Sequence, residues 1–182
     1  MSLVYSNRLG SVLVAAMVAA CGGDKDAVSP QRTALNPGTP SFSAGFGSTS
    51  TLLGRATFRD SSPTFKIKRI TGDWHVEVKS VPALDLAVQT ITFQPGGYSG
   101  WHRHPGPVFI QVVSGTMTFY ESDDPTCTPV VKHAGEGYLD VGDHAHIARN
   151  ETALPAQNVV TYLAPPGAVL RIEAERPGNC PF

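Results

Sequence analysis

Ten short runs of β-branched and aromatic residues, none with the length or periodicity of a helix, constrain what this 182-residue chain can fold into. FKIKRI, HVEVKSV, LAVQTITF, VFIQVV, TMTFYE, PVVKH, GYLDV, HIARN, NVVTYLA and VLRIEAE follow one another from about residue 62, separated by Gly, Pro, Asp or Asn. Runs of this composition, closed by turn formers, are strands. Their spacing of roughly eight to twelve residues is that of an all-β sandwich or barrel, because βαβ units would place helical stretches between them. No internal period points to a repeat architecture.

The first 60 residues have a different texture. MSLVYSNR carries one Arg and no acid, and LGSVLVAAMVAA is an apolar stretch too short to span a bilayer as a mature helix. This is the layout of a secretory signal peptide over residues 1–20. It ends Val18-Ala19-Ala20-Cys21, which resembles the lipobox of bacterial lipoproteins, and the resemblance implies cleavage before Cys21 and lipidation of that residue. An ordinary signal peptide with a chance cysteine is the competing reading. Residues 21–60 are then rich in Gly, Ser, Thr and Pro without apolar periodicity, and read as a flexible tether between the anchor and a domain at 61–182. The expected location is the bacterial cell envelope, extracytoplasmic, with the membrane reached through the lipid alone.

Charge excludes one class of partner. The chain carries 14 basic and 15 acidic residues, and loss of residues 1–20 removes only Arg8, leaving 13 against 15, a balance of −2. No field of either sign recommends nucleic acid.

Three cysteines are present. With Cys21 assigned to lipid, Cys127 and Cys180 remain as an even pair in turn-like segments of an exported chain, and a disulfide between them is expected. Two free thiols are the alternative.

Six histidines remain to be placed, and two pairs share one spacing: His102 and His104 in GWHRHPG, His144 and His146 in DHAHIARN. Residues i and i+2 of a strand face the same way, so His102 and His104 project together, opposite Trp101 and Arg103. His75, beside Trp74, and His133 read as surface or turn residues.

These two stretches resemble the paired signature motifs of the cupin superfamily. The first motif is matched by Gly96, His102, His104 and Gly115, with Val108 where the family carries a Glu; the second by Gly135, His146 and Asn150, with Val141 and Asp143 replacing its Pro and Gly. The resemblance implies a double-stranded β-helix, or jelly roll, with a site in the barrel mouth. It also implies His102, His104 and His146 as metal ligands, the fourth ligand being absent because Val108 cannot coordinate. Three neutral imidazoles suit a divalent ion, Fe, Mn, Zn, Ni or Cu, with an open side for water or substrate. His144 is assigned beside the site or to the surface. Tyr98, Trp101, Tyr120 and Gln111 are candidates for the pocket or its rim, Gln111 having the wrong parity from Val108 to point inward.

Two function classes fit. One is a metal-dependent enzyme, an oxygenase acting on a small molecule; the other is a non-catalytic module that captures a small ligand or a metal ion. No general acid or base, Ser-His-Asp set or carboxylate pair is legible from spacing. A homodimer is compatible with such a domain.

Overall fold

The computed structural model describes residues 44–59, 64–68, 75–79, 83–142 and 144–182, with backbone alone over 64–68 and 75–79. The signal peptide, Cys21 and the tether as far as residue 43 lie outside the described residues, as do Trp74, Asp143 and the side chain of His75.

Among the described residues every regular element is a strand: β1 Phe46–Phe58, β2 Thr64–Lys68, β3 His75–Lys79, β4 Leu84–Tyr98, β5 His102–Arg103, β6 Val108–Ser114, β7 Thr116–Glu121, β8 Val130–His133, β9 Gly137–Asp140, β10 His146–Arg149, β11 Ala156–Ala164 and β12 Ile172–Glu173. Among the described residues, β2 pairs only with β3, and the other ten form one antiparallel sheet ordered β12-β5-β10-β4-β11-β6-β9. β1 flanks β4, and β7 joins β10 to β8. The sheet curls into a nearly closed barrel, the double-stranded β-helix expected from the paired motifs.

Side-chain alternation decides which residues fill the barrel. On β6, Val108, Ile110 and Val112 are buried while Phe109, Gln111 and Val113 are exposed; on β11, Ala156, Asn158, Val160, Tyr162 and Ala164 are buried. Met117 and Phe119 of β7 and Phe93 of β4 complete one apolar cluster with Val108, Ile110, Val112, Ala156, Val160 and Tyr162. Removing an aliphatic or aromatic side chain of this kind from water is worth about 1.5–3 kcal/mol. Gly115, in the one-residue turn between β6 and β7, has φ +73°, and a Cβ there would stand 2.7 Å from the Pro155 carbonyl oxygen. Only glycine suits both demands.

β10 and β7 are buried on both faces, which reveals a second core. Ile147 and Tyr120 point away from the barrel and pack with Trp101, Cys180 and, less deeply, Tyr98, Cys127 and Phe182. Trp101 Nε1 donates to the Phe182 carbonyl. Cys127 and Cys180 are bonded, 53 residues apart, so the C-terminal tail is fastened over this face. A crosslink closing a loop of that length contributes about 4 kcal/mol in the chain-entropy model.

The tether reading is corrected over residues 46–58, which form β1 and pair along β4 from Phe46↔Tyr98 to Phe58↔Leu84. Nearly all of β1 is exposed on both faces, so its sequence shows no alternation. Asp85, buried on β4, holds it: the carboxylate accepts from Arg55 Nε and Thr57 Oγ1 of β1 and from the Gly167 N–H. The Thr57 and Gly167 hydrogen bonds, with Arg55, keep its pKa down at about 2.

Candidate metal centre

The barrel brings the two histidine stretches into direct register. His102 on β5 is the cross-strand partner of His146 at the head of β10, and His104 follows two residues after His102 on the same side. Ring centroids are 4.6 Å apart for His102 and His146, 4.8 Å for His102 and His104, and 5.2 Å for His104 and His146. All three side chains are buried, and each offers one nitrogen within 4.8 Å of the others.

Backbone carbonyls decide the tautomers of two of them. His102 Nδ1 lies 2.8 Å from the Gly100 oxygen and His104 Nδ1 lies 2.6 Å from the Leu170 oxygen. A carbonyl only accepts, so Nδ1 carries the proton in both rings and the Nε2 lone pair is left free. Burial, reinforced by His146, pushes the His102 pKa well below its ordinary value and that of His104 down to about 4. Both imidazoles are therefore neutral at pH 7, the form that binds metal.

A carboxylate stands beside the rings. Asp140, fully buried at the end of β9, places Oδ2 3.1 Å from His146 Nδ1 and 3.7 Å from His104 Nε2. Neither Oδ2 nor His146 Nδ1 has a hydrogen-bond partner. Burial raises the Asp140 pKa, but His146 and the Gly142 N–H more than offset this and hold it below the usual value. Converging neutral imidazoles beside an unsatisfied buried anion make a site that a divalent cation fits, since it accepts the lone pairs and compensates the charge.

His102 and His104 open onto a cavity of ≈870 Å³. Ser48 and Ser50 of β1 form part of its wall, so the segment read as tether helps to build the pocket. Gln89, Ile91 and Tyr162 face it from β4 and β11, and Arg171 sits near its rim, held by Glu173 through two hydrogen bonds. Gln89 Nε2 donates to the Tyr162 hydroxyl, which leaves the phenolic proton for another acceptor, and burial pushes the Tyr162 pKa up to about 12. Sequence reading passed over Tyr162 and Gln89; their inward parity on β11 and β4 was the available signal.

Other residues singled out from the sequence lie elsewhere. Tyr98, Trp101 and Tyr120 belong to the second core rather than the pocket, and Tyr120 donates its hydroxyl proton to Glu151. For Trp101 the cause is parity: adjacent to His102, it must face the other side. Gln111 is exposed on the outer face of β6, and Val108 is fully buried among apolar residues. His144 contacts Glu121 at 2.7 Å outside the histidine cluster. His133 is exposed and contacts Thr116. Asn150 is fully buried, its amide donating to the carbonyls of Phe93, Gln94 and Leu154, so it fastens the loop after β10.

Residues 89–162 match the Cupin_2 family model, described as a cupin domain. Similar solved structures include an uncharacterized conserved protein with a double-stranded β-helix domain from Klebsiella pneumoniae, at 23% identity over 50% of this chain and 76% of that one, TM-score 0.43. The polyketide cyclase RemF from Streptomyces resistomycificus is 12% identical over 76% of this chain and 80% of its own, TM-score 0.47. The DMSP lyase DddQ from Ruegeria pomeroyi is 18% identical over 48% of this chain and 42% of its own, TM-score 0.42. None of these likenesses carries an activity to this chain. No curated protein matches the sequence.

Proposed function

From the premise that residues 89–162 of this chain constitute a cupin domain, we propose that it holds a divalent metal ion on His102, His104 and His146 and acts with it on a small molecule admitted through the adjoining cavity. The observation that carries this reading is the state of the rings: His102 and His104 spend their Nδ1 protons on backbone carbonyls, which leaves their Nε2 lone pairs free in a buried group of three histidines whose ligand nitrogens lie within 4.8 Å of one another. When bound, the ion supplies a Lewis acid with open coordination positions.

The chain's own residues define the rest of the chemistry. Ile91, Phe93 and Leu170 give the cavity an apolar wall that excludes water from one side of a ligand. Ser48 and Ser50 provide hydroxyls on another side. Tyr162, oriented by Gln89 and held as the phenol, is a hydrogen-bond and proton donor rather than a base. An oxygenase reaction on a small organic substrate is the class proposed. The domain is further proposed to work outside the cytoplasm on a lipid anchor at Cys21, which the V-A-A-C sequence and the Cys127–Cys180 pairing support, since disulfides persist in oxidising compartments.

The test is elemental analysis of the purified domain followed by oxygen uptake with small phenols, diketones and thiols. Bound metal with turnover supports the enzyme; bound metal without turnover on any of these substrates moves the reading to a binding module.

A further inference from the structure

The cupin motif supplies its acidic ligand from the position that Val108 occupies here, and Val108 is fully buried with nothing to donate. Its cross-strand partner on β9 is Asp140. Register partners share one face of a sheet with Cβ atoms about 4.5–5.5 Å apart, so a carboxylate lost at 108 reappears one strand away and aimed at the same interior. We propose that Asp140 is the carboxylate ligand of this metal centre, transferred from β6 to β9, so that Oδ2 completes a set of three histidines and one acid. This rests on the metal reading above.

Three observations carry it. Asp140 is aimed rather than free: Oδ1 accepts from the Gly142 N–H at 2.7 Å, and Gly142, at φ +90°, packs so closely on Gly106 that a Cβ would stand 2.6 Å from the Gly106 oxygen. That contact clamps the turn after Asp140 to the loop that follows His104. The second is distance. Two ligand atoms of one tetrahedral ion with bonds near 2.0–2.1 Å are about 3.3 Å apart, and Oδ2 stands 3.7 Å from His104 Nε2, the nitrogen left free for metal. The third is that Oδ2 is buried with no partner in hydrogen-bond geometry, its polar neighbours being His146 Nδ1 at 3.1 Å and His104 Nε2 at 3.7 Å. An anion in that condition is costly unless a cation shares the site.

The experiment titrates Co²⁺ into metal-free protein and records both affinity and the visible absorption of the bound ion, for wild type, Asp140→Asn, Val108→Glu and the double variant. Asn preserves the volume and the acceptor for Gly142, and metal-free melting of each variant reports folding. Asp140→Asn is expected to weaken Co²⁺ binding by about tenfold to a hundredfold, the range seen when groups supporting a metal site are lost, and to shift the absorption bands. Val108→Glu in the Asp140→Asn background restores most of the affinity, whereas Val108→Glu alone adds little because a second carboxylate crowds the first. Unchanged affinity in Asp140→Asn overturns the assignment. So does weaker binding with unchanged bands, which would make Asp140 a support for His146 rather than a ligand. Wild-type protein that takes up no Co²⁺ instead fails the metal reading itself.

Discussion

His102 and His146 are direct register partners across β5 and β10, with ring centroids 4.6 Å apart. That single pairing joins the two histidine stretches into one buried group, and it depends on a strand of only two residues. Two hydrogen bonds between Ser99 and Ala148 secure it: Ser99 N–H donates to the Ala148 carbonyl, and the Ala148 N–H donates to Ser99 Oγ.

Burial of these rings sets a pH dependence. His104 is held at about 4 and His102 well below its ordinary value, whereas both titrate near 6.5 in an unfolded chain. Between those values the unfolded chain binds protons that the folded one refuses, so stability present above about pH 6.5 is lost as the pH falls toward about 4. The melting temperature of metal-free protein should drop across that window, and less steeply in His104→Asn. A melting temperature that stays level from about pH 7 to 4 would contradict the burial argument.

The second core should behave as structure and not as site. Tyr120→Phe leaves metal content unchanged, since its hydroxyl faces Glu151 rather than the histidines. Trp101→Ala should cost about 3–5 kcal/mol, because the fully buried indole anchors this core and donates to Phe182. Cys180→Ser, which frees the tail from Cys127, should cost about 2–4 kcal/mol. Denaturant melts read these losses; variants as stable as wild type would show the tail to be dispensable.

The succession of short strands and the inward parity of Val108 on β6 were legible in the sequence because turn formers punctuate the runs and alternation survives where one face is buried and the other wet. β1 was not legible, since it is exposed on both faces and its pairing with β4 is secured by Asp85, a residue distant in sequence. Asp140 escaped notice for a different reason: its approach to the histidines depends on the β6–β9 register, a tertiary fact. Tyr120 was misplaced although Phe119, its neighbour, faces the barrel, because β7 is buried on both sides and aromatic character alone does not say which.

Anchoring is tested by fractionation. Cell-envelope membranes should retain the wild-type protein, and Cys21→Ala should be released or remain uncleaved. Identical soluble, mature behaviour of both forms would remove the lipid from the account.

The measurement that bears most directly on the central claim is metal content per chain, by elemental analysis at one fixed pH, for wild type, His102→Ala, His104→Ala, His146→Ala and the exposed control His133→Ala. Wild type and His133→Ala should carry about one divalent ion per chain, and each of the other three should lose most of it. Equal metal content in wild type and in the His102, His104 and His146 variants would contradict a metal centre at these residues.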